Sequence, residues 1–259
     1  MEIVIPATVS LFASLLTLFS GFGLGTLLLP AFALFFPIEL AVMMTAVVHF
    51  ANNCFKLLLL GRFAERTIIL KFGLPATFAA FLGSSMLSWL SSSTSLYVYQ
   101  YHIFGKTAEI SALKLTFALL IIAFAALEFS DLEHRFTFEQ NYLVVGGLLS
   151  GFFGGLSGHQ GALRTMFLLR CGLEKQAFLA TGIVIAVMVD VSRLFVYQRQ
   201  FATALRSENL LVLGLCVLAA FLGAFVGARL IKKVTMRGVQ KIVATMLIFI
   251  GVLLGTGLI

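Results

Sequence analysis

Residues 11–36 carry no charged side chain, and residues 137–163 carry only Glu139. A soluble domain of ordinary size has roughly a quarter of its residues charged and roughly half apolar, and cannot bury two such runs. Here 11% of the 259 residues are charged and 60% hydrophobic, and the mean hydropathy is +1.06. These values exclude a soluble enzyme, a disulfide scaffold and a disordered chain, and point to a polytopic membrane protein.

The net charge is +7, from 18 Lys and Arg against 11 Asp and Glu. The basic residues collect in short connections between apolar runs, which reads as membrane topology and not as nucleic-acid binding. Cys54, Cys171 and Cys216 lie far apart in apolar runs, without metal or disulfide spacing, and read as small buried hydrophobes. No cofactor and no metal is expected. The start, Met1-Glu2-Ile3-Val4, lacks the basic region of a cleaved signal peptide and is expected to stay on the mature chain.

About 20 apolar residues, at about 1.5 Å each, cross the hydrocarbon. Single spans are predicted at 39–60, 68–90, 111–128, 176–198, 208–230 and 238–258. Two further regions, 3–36 and 141–172, are too long for one crossing and short for two. Glycines interrupt each of them: Gly21, Gly23 and Gly25 in the first, and Gly151, Gly154, Gly155, Gly158 and Gly161 in the second. Each reads as a hairpin of two half-helices that dips into the membrane and returns to the same side.

The hairpins occupy matching places in two halves. Ser20-Gly21-Phe22 recurs as Ser150-Gly151-Phe152, and Ala79-Ala80-Phe81-Leu82-Gly83 recurs as Ala219-Ala220-Phe221-Leu222-Gly223. Between them Ala41 and Thr45 match Ala177 and Thr181. The predicted fold is an all-α polytopic membrane protein of two inverted repeats, each a broken-helix hairpin plus three transmembrane helices. The first repeat takes residues 1–128, a cytoplasmic connection 129–140, and the second repeat 141–259. With the 61–71, 129–140, 170–175 and 229–241 connections cytoplasmic, 11 basic residues lie inside and 4 (Lys106, Lys114, Arg199, Arg206) outside. Both termini then lie outside the inner membrane. Reading 141–172 as one span would instead export the strongly basic 229–241 connection.

Interrupted helices in inverted repeats are the mark of secondary transporters, whose site lies near the midplane where the broken helices meet. Half-helix N-termini there present free N–H groups and a positive dipole end to an anion. The eight-segment layout, the Ser-Gly-Phe of each half, Pro30 and the stretch Gly-Gly-Leu-Leu-Ser-Gly-Phe-Phe-Gly-Gly-Leu-Ser-Gly-His-Gln-Gly-Ala-Leu-Arg from Gly146 to Arg164 resemble the TauE/SafE family of sulfite exporters, also called TSUP. The resemblance covers essentially the whole chain. It implies transport of sulfite, organosulfonates or related small anions, coupled to protons or driven by the membrane potential. Many members carry a glycine run followed by proline at the second break; this chain reads Gly158-His159-Gln160-Gly161 there.

Ionisable groups at membrane depth are costly and become functional candidates by default. Three basic residues belong to no connection: Lys56, Arg164 and Arg193. The fixed fork of the Arg164 guanidinium suits sulfonate, sulfite or carboxylate oxygens. It is read as an anion clamp with Gln160, Ser157 and the N–H groups of Gly158, Gly161, Gly21, Gly23 and Gly25, against a structural pairing with Asp190. Asp190 and Arg193 share a helix face at a spacing of three, and the first half brings Asn52, Asn53 and Lys56 to a similar depth. Asp190 is expected in a permanent ion pair with Arg193 or Arg164, the alternative being a proton-coupling carboxylate. His49 is expected as a neutral partner between helices, the alternative being a carrier of the coupled proton, and His159 either as such a partner or as a proton carrier. The connection 91–110 is expected to lie on the membrane interface, anchored by Tyr97, Tyr99 and Tyr101.

The sequence therefore predicts a non-enzymatic secondary transporter of small anions, working by alternating access, with export coupled to protons or to the potential. The alternatives are an anion channel, or an uptake permease for another small carboxylate or oxyanion. Lys56, Arg164 and Arg193 against Asp190 leave a positive excess that favours an anionic ligand. The partners expected are that anion and the lipid bilayer, with a homodimer compatible with the layout.

Overall fold

The computed structural model describes residues 1–20, 24–92, 98–103, 106–130, 137–198, 207–230 and 237–258. Gly21 and Gly23 lie outside the described residues, as do Tyr97 and Arg199. The first half contains α1 (Val4–Ser20), α2 (Leu24–Ala33), α3 (Ile38–Leu60), α4 (Arg66–Ser92), the strands β1 (Val98–Ile103) and β2 (Lys106–Ser111), and α5 (Ala112–Phe129). The second half contains α6 (Leu143–Ser157), α7 (Gly161–Leu168), α8 (Lys175–Tyr197), α9 (Ser207–Leu230) and α10 (Arg237–Gly255). The predicted spans meet these helices to within three residues at every end. The chain is an all-α polytopic membrane protein, as predicted. Among the described residues, α3, α4, α8 and α9 are long and apolar enough to cross a membrane alone. Phe78, Trp89, Leu119, Phe195, Leu218 and Phe249 stand exposed on the outside of the bundle, the arrangement of a molecule whose surroundings are as apolar as its core.

Both hairpins are present, but the second is interrupted at one point only. α6 ends where Gly158 turns left-handed (φ +82°), its N–H donating to the Gly154 carbonyl at 2.9 Å, a turn that a side chain would strain. Gly151, Gly154 and Gly155 do not break the helix; they lie inside α6. Ser150-Gly151-Phe152, the copy of Ser20-Gly21-Phe22, accordingly lies within α6 and not at its break. The separation from Ile38 to Lys175 and from Leu60 to Tyr197 is 137 residues, and the same step takes Ser20-Gly21 to Ser157-Gly158 and Asn53 and Lys56 to Asp190 and Arg193.

The helix packing crosses between the halves. α6 lies along α4, α1 lies along α9, and α5 lies along α10. A Cβ on Gly147, Gly151 or Gly155 would collide with the carbonyl oxygens of Phe72, Ala76 and Ala80 respectively. This stripe at intervals of four lets two backbones touch, and such contact is the chief source of helix adhesion where no hydrophobic effect operates between helices. The repeated pentapeptide supplies the same device twice. Gly83 seats on the Phe152 carbonyl and Gly223 on the Leu11 carbonyl, with no room for a side chain at either.

The connection between α4 and α5 contains a β-hairpin. β1 and β2 pair antiparallel, Tyr99 opposite Ile110 and Tyr101 opposite Ala108. The sheet is tied to the end of α10: the Tyr101 hydroxyl donates to the Thr256 carbonyl at 2.6 Å, and the Glu109 N–H donates to the Gly257 carbonyl at 3.3 Å. Tyr99 stays exposed, so only one of these two tyrosines is free to meet lipid headgroups. At the opposite end, the Glu65 N–H donates to Thr181 Oγ1 at 2.9 Å, and Phe138 stacks on Phe167 with centroids 4.5 Å apart.

Candidate anion site

The two hairpin tips meet at the centre. A Cβ on Gly25, at the start of α2, would lie 3.2 Å from the Gly158 carbonyl oxygen and 3.7 Å from a Thr45 methyl group. α3 and α8 cross beside this contact and bring their polar residues together. The His49 Nδ1–H donates to Asp190 Oδ2 at 2.6 Å, and Asp190 Oδ1 accepts from Arg193 Nε at 2.9 Å with Nη2 at 2.8 Å. Asp190 and Arg193 are completely buried. Asn53 Nδ2 donates to His49 Nε2 at 3.3 Å, which suits a neutral imidazole with Nδ1 protonated.

The expected Asp190 ion pair is therefore present, with Arg193 as its cation and His49 as a second partner. Among the described residues, no carboxylate pairs with Arg164. Arg164 leaves α7, lies over Gly182 of α8, and keeps its Nη1 buried and without a partner. It lines a polar cavity with Thr17, Leu24, His49, Asn53, Lys56, Thr165, Phe178 and Gly182. About 40 Å³ of it is open to the centre of a water-sized sphere, room for about three waters or one small ion. Lys56 is buried and donates to Thr17 Oγ1 at 2.8 Å. With the Asn52 amide turned so that its nitrogen donates to the Ala220 carbonyl, its oxygen accepts from Lys56 Nζ at 3.2 Å. Both partners of Lys56 are neutral oxygens.

The other predicted clamp residues lie apart from this cavity. His159 stacks on Phe124 of α5 at 5.2 Å, and its Nδ1 meets the Ser157 hydroxyl at 3.0 Å. The Ser150 hydroxyl donates to the Gln160 carbonyl at 3.0 Å, while both side-chain polar atoms of Gln160 are buried without a partner. Gly158 faces Arg193: a Cβ there would lie 3.0 Å from Nη1. The structure thus joins Arg164 to Lys56, His49 and Asn53, and sets Ser157, Gly158, His159 and Gln160 around the tip contact. Gly161 begins α7 and is buried. Sequence reasoning missed Thr17. The signal was present: Ser10, Ser14 and Thr17 make a polar stripe on one face of α1, and all three are buried.

A family model for the sulfite exporter TauE/SafE family matches residues 7–254, almost the whole chain. The chain belongs to this family. It is a membrane protein of a transporter family, and in it the TauE/SafE match spans both hairpins and every helix between them. No curated protein and no solved structure matches it.

Proposed function

We propose that this chain is a secondary transporter of small sulfur oxyanions, exporting sulfite or a close relative across the inner membrane by alternating access. The observation that carries the reading is the cavity shared by Lys56 and Arg164, two cations at membrane depth whose side chains meet no carboxylate among the described residues. A buried cation without a counter-charge is expensive, and a bound anion offsets that cost. The Asp190 carboxylate is held by His49 and Arg193, so it does not neutralise the cavity.

Inverted repeats are supported by the 137-residue step shared by the hairpin tips and by α3 and α8, and by the reciprocal seating of each hairpin on the other half's span, through Gly83 and Gly223. The orientation with both termini outside is supported by the contacts at the two ends of the bundle. The basic connections around Glu65, Phe138 and Thr181 gather at one end, and β1–β2 joins the end of α10 at the other. Coupling belongs to His49 and Asp190 in this reading, because they link the cavity to Arg193.

The test is sulfite counterflow in proteoliposomes, wild type beside Arg164→Ala, with and without a pH gradient. Saturable counterflow lost in the variant, with the protein still monodisperse and folded, supports the carrier. Unchanged counterflow in Arg164→Ala overturns the assignment of this cavity, and conductance without counterflow makes the protein a channel.

A further inference from the structure

The cavity has a definite charge, and that charge constrains the ligand beyond its being an anion. Among the described residues no aspartate or glutamate lines it. Lys56 bonds to the Thr17 hydroxyl and the Asn52 amide oxygen, which orient the ammonium without cancelling it. Arg164 has an unpartnered Nη1. His49 faces the cavity as a neutral ring whose Nδ1–H is committed to Asp190, and Asp190 is in turn matched by Arg193. Lys56 and Arg164 therefore stand as two basic side chains without a carboxylate partner, among the described residues, around a space for about three waters.

We infer that the site selects a compact doubly charged oxyanion, and that Lys56 is the residue that sets this valence. The inference rests on the carrier reading above. A dianion with a single sulfur centre matches both cations and fits the space. A monoanionic sulfonate leaves one buried charge unmatched. A zwitterion such as an aminoalkyl sulfonate brings an ammonium group into a wall that already has two cations and no carboxylate to receive it.

Sulfate and methanesulfonate provide the probe, since they have nearly the same size and the same sulfur–oxygen acceptors but differ by one charge. Counterflow of labelled sulfite is measured with each as external competitor, alongside an aminoalkyl sulfonate. In the wild type, sulfate competes at least about tenfold better than methanesulfonate, the scale set by one unmatched buried charge, and the zwitterion does not compete. Lys56→Gln narrows or reverses the ratio, while Lys56→Arg keeps it. A merely structural role for Lys56 would lower all fluxes and leave the ratio where it was, and that result overturns the assignment to Lys56. Equal competition by sulfate and methanesulfonate in the wild type overturns the valence inference while the carrier stands, and needs no variant to fold. Absence of sulfite counterflow in the wild type overturns the carrier reading and this inference together.

Discussion

Asp190 is fully buried and held from two sides. Its two oxygens are shared between a ring on α3 and a guanidinium one turn along its own helix, with no solvent at either. Removing one member of a buried pair costs more than the pair contributes, because the remaining charge stays buried alone. Arg193→Met is therefore expected to destabilise the protein by about 3–5 kcal/mol, read as a fall in melting temperature in detergent. Asp190→Asn combined with Arg193→Met is expected to cost clearly less than the two single effects summed. The spacing of three between Asp190 and Arg193 was legible in the sequence. That Arg164 stands free of Asp190 was not, because α7 and α8 are joined by a turn whose geometry decides which guanidinium reaches the carboxylate. The segregation of His159 and Gln160 from Arg164 has the same origin: both lie on the turn and Arg164 on the first turn of the returning helix, so a few residues of sequence become opposite faces of the tip.

Among the elements, α6 shows how a glycine-rich segment can mislead. Hydropathy marked the hairpin and its ends well, because a half-helix needs only length and apolar content. The sequence reading takes Gly151, Gly154, Gly155, Gly158 and Gly161 as the break, yet Gly151 and Gly155 continue from Gly147 at intervals of four, and that interval belongs to helix packing; only Gly158, with its left-handed backbone, is a break. Gly151→Leu is expected to push the Ala76 backbone away and cost about 3 kcal/mol or more, seen as loss of monodisperse protein. Gly214→Ala on α9, where a Cβ meets nothing within 4 Å, is expected to leave yield and melting temperature unchanged. The β1–β2 hairpin was missed because a long apolar chain draws attention to helices. Its alternating pattern, with Tyr99 and Tyr101 on one side of the strand, was nonetheless present. Tyr101→Phe removes the bond to the Thr256 carbonyl and is expected to cost about 0.5–1.5 kcal/mol, with faster hydrogen exchange at the amides of β1 and β2 as the local readout.

At the scale of the whole molecule, the glycine seats decide which parts can separate. α4 is fixed to α6, and α1 to α9, by backbone contact. On the carrier reading proposed above, the bodies that would move are α1–α3 with α9, and α6–α8 with α4, each borrowing one helix from the other half of the sequence. The cavity lies between them: Thr17, His49, Asn53 and Lys56 belong to one body, and Arg164, Thr165 and Gly182 to the other. Cross-links in a chain cleared of Cys54, Cys171 and Cys216 test this. Ser192 donates to the Thr77 carbonyl within one body, so a Thr77→Cys, Ser192→Cys bridge is expected to leave counterflow intact, although it joins the two sequence halves. Leu60 and Ile183 belong to one buried cluster that spans the boundary, and a Leu60→Cys, Ile183→Cys bridge is expected to abolish counterflow until it is reduced.

The reciprocal seating of the hairpins also sets a clock on synthesis. α6 emerges when α4 is already in the bilayer and can dock at once. α1 emerges first, and its seat on Gly223 is 212 residues further along the chain. At roughly 5–20 residues per second, the first hairpin waits roughly 10–40 s for its partner. Through that interval the backbone at Leu11 and Leu15 has no α9 to cover it. Two contacts that look alike in the finished protein therefore form at opposite ends of its birth, and the early hairpin, short of its partner, is the stretch of nascent chain most in need of shelter.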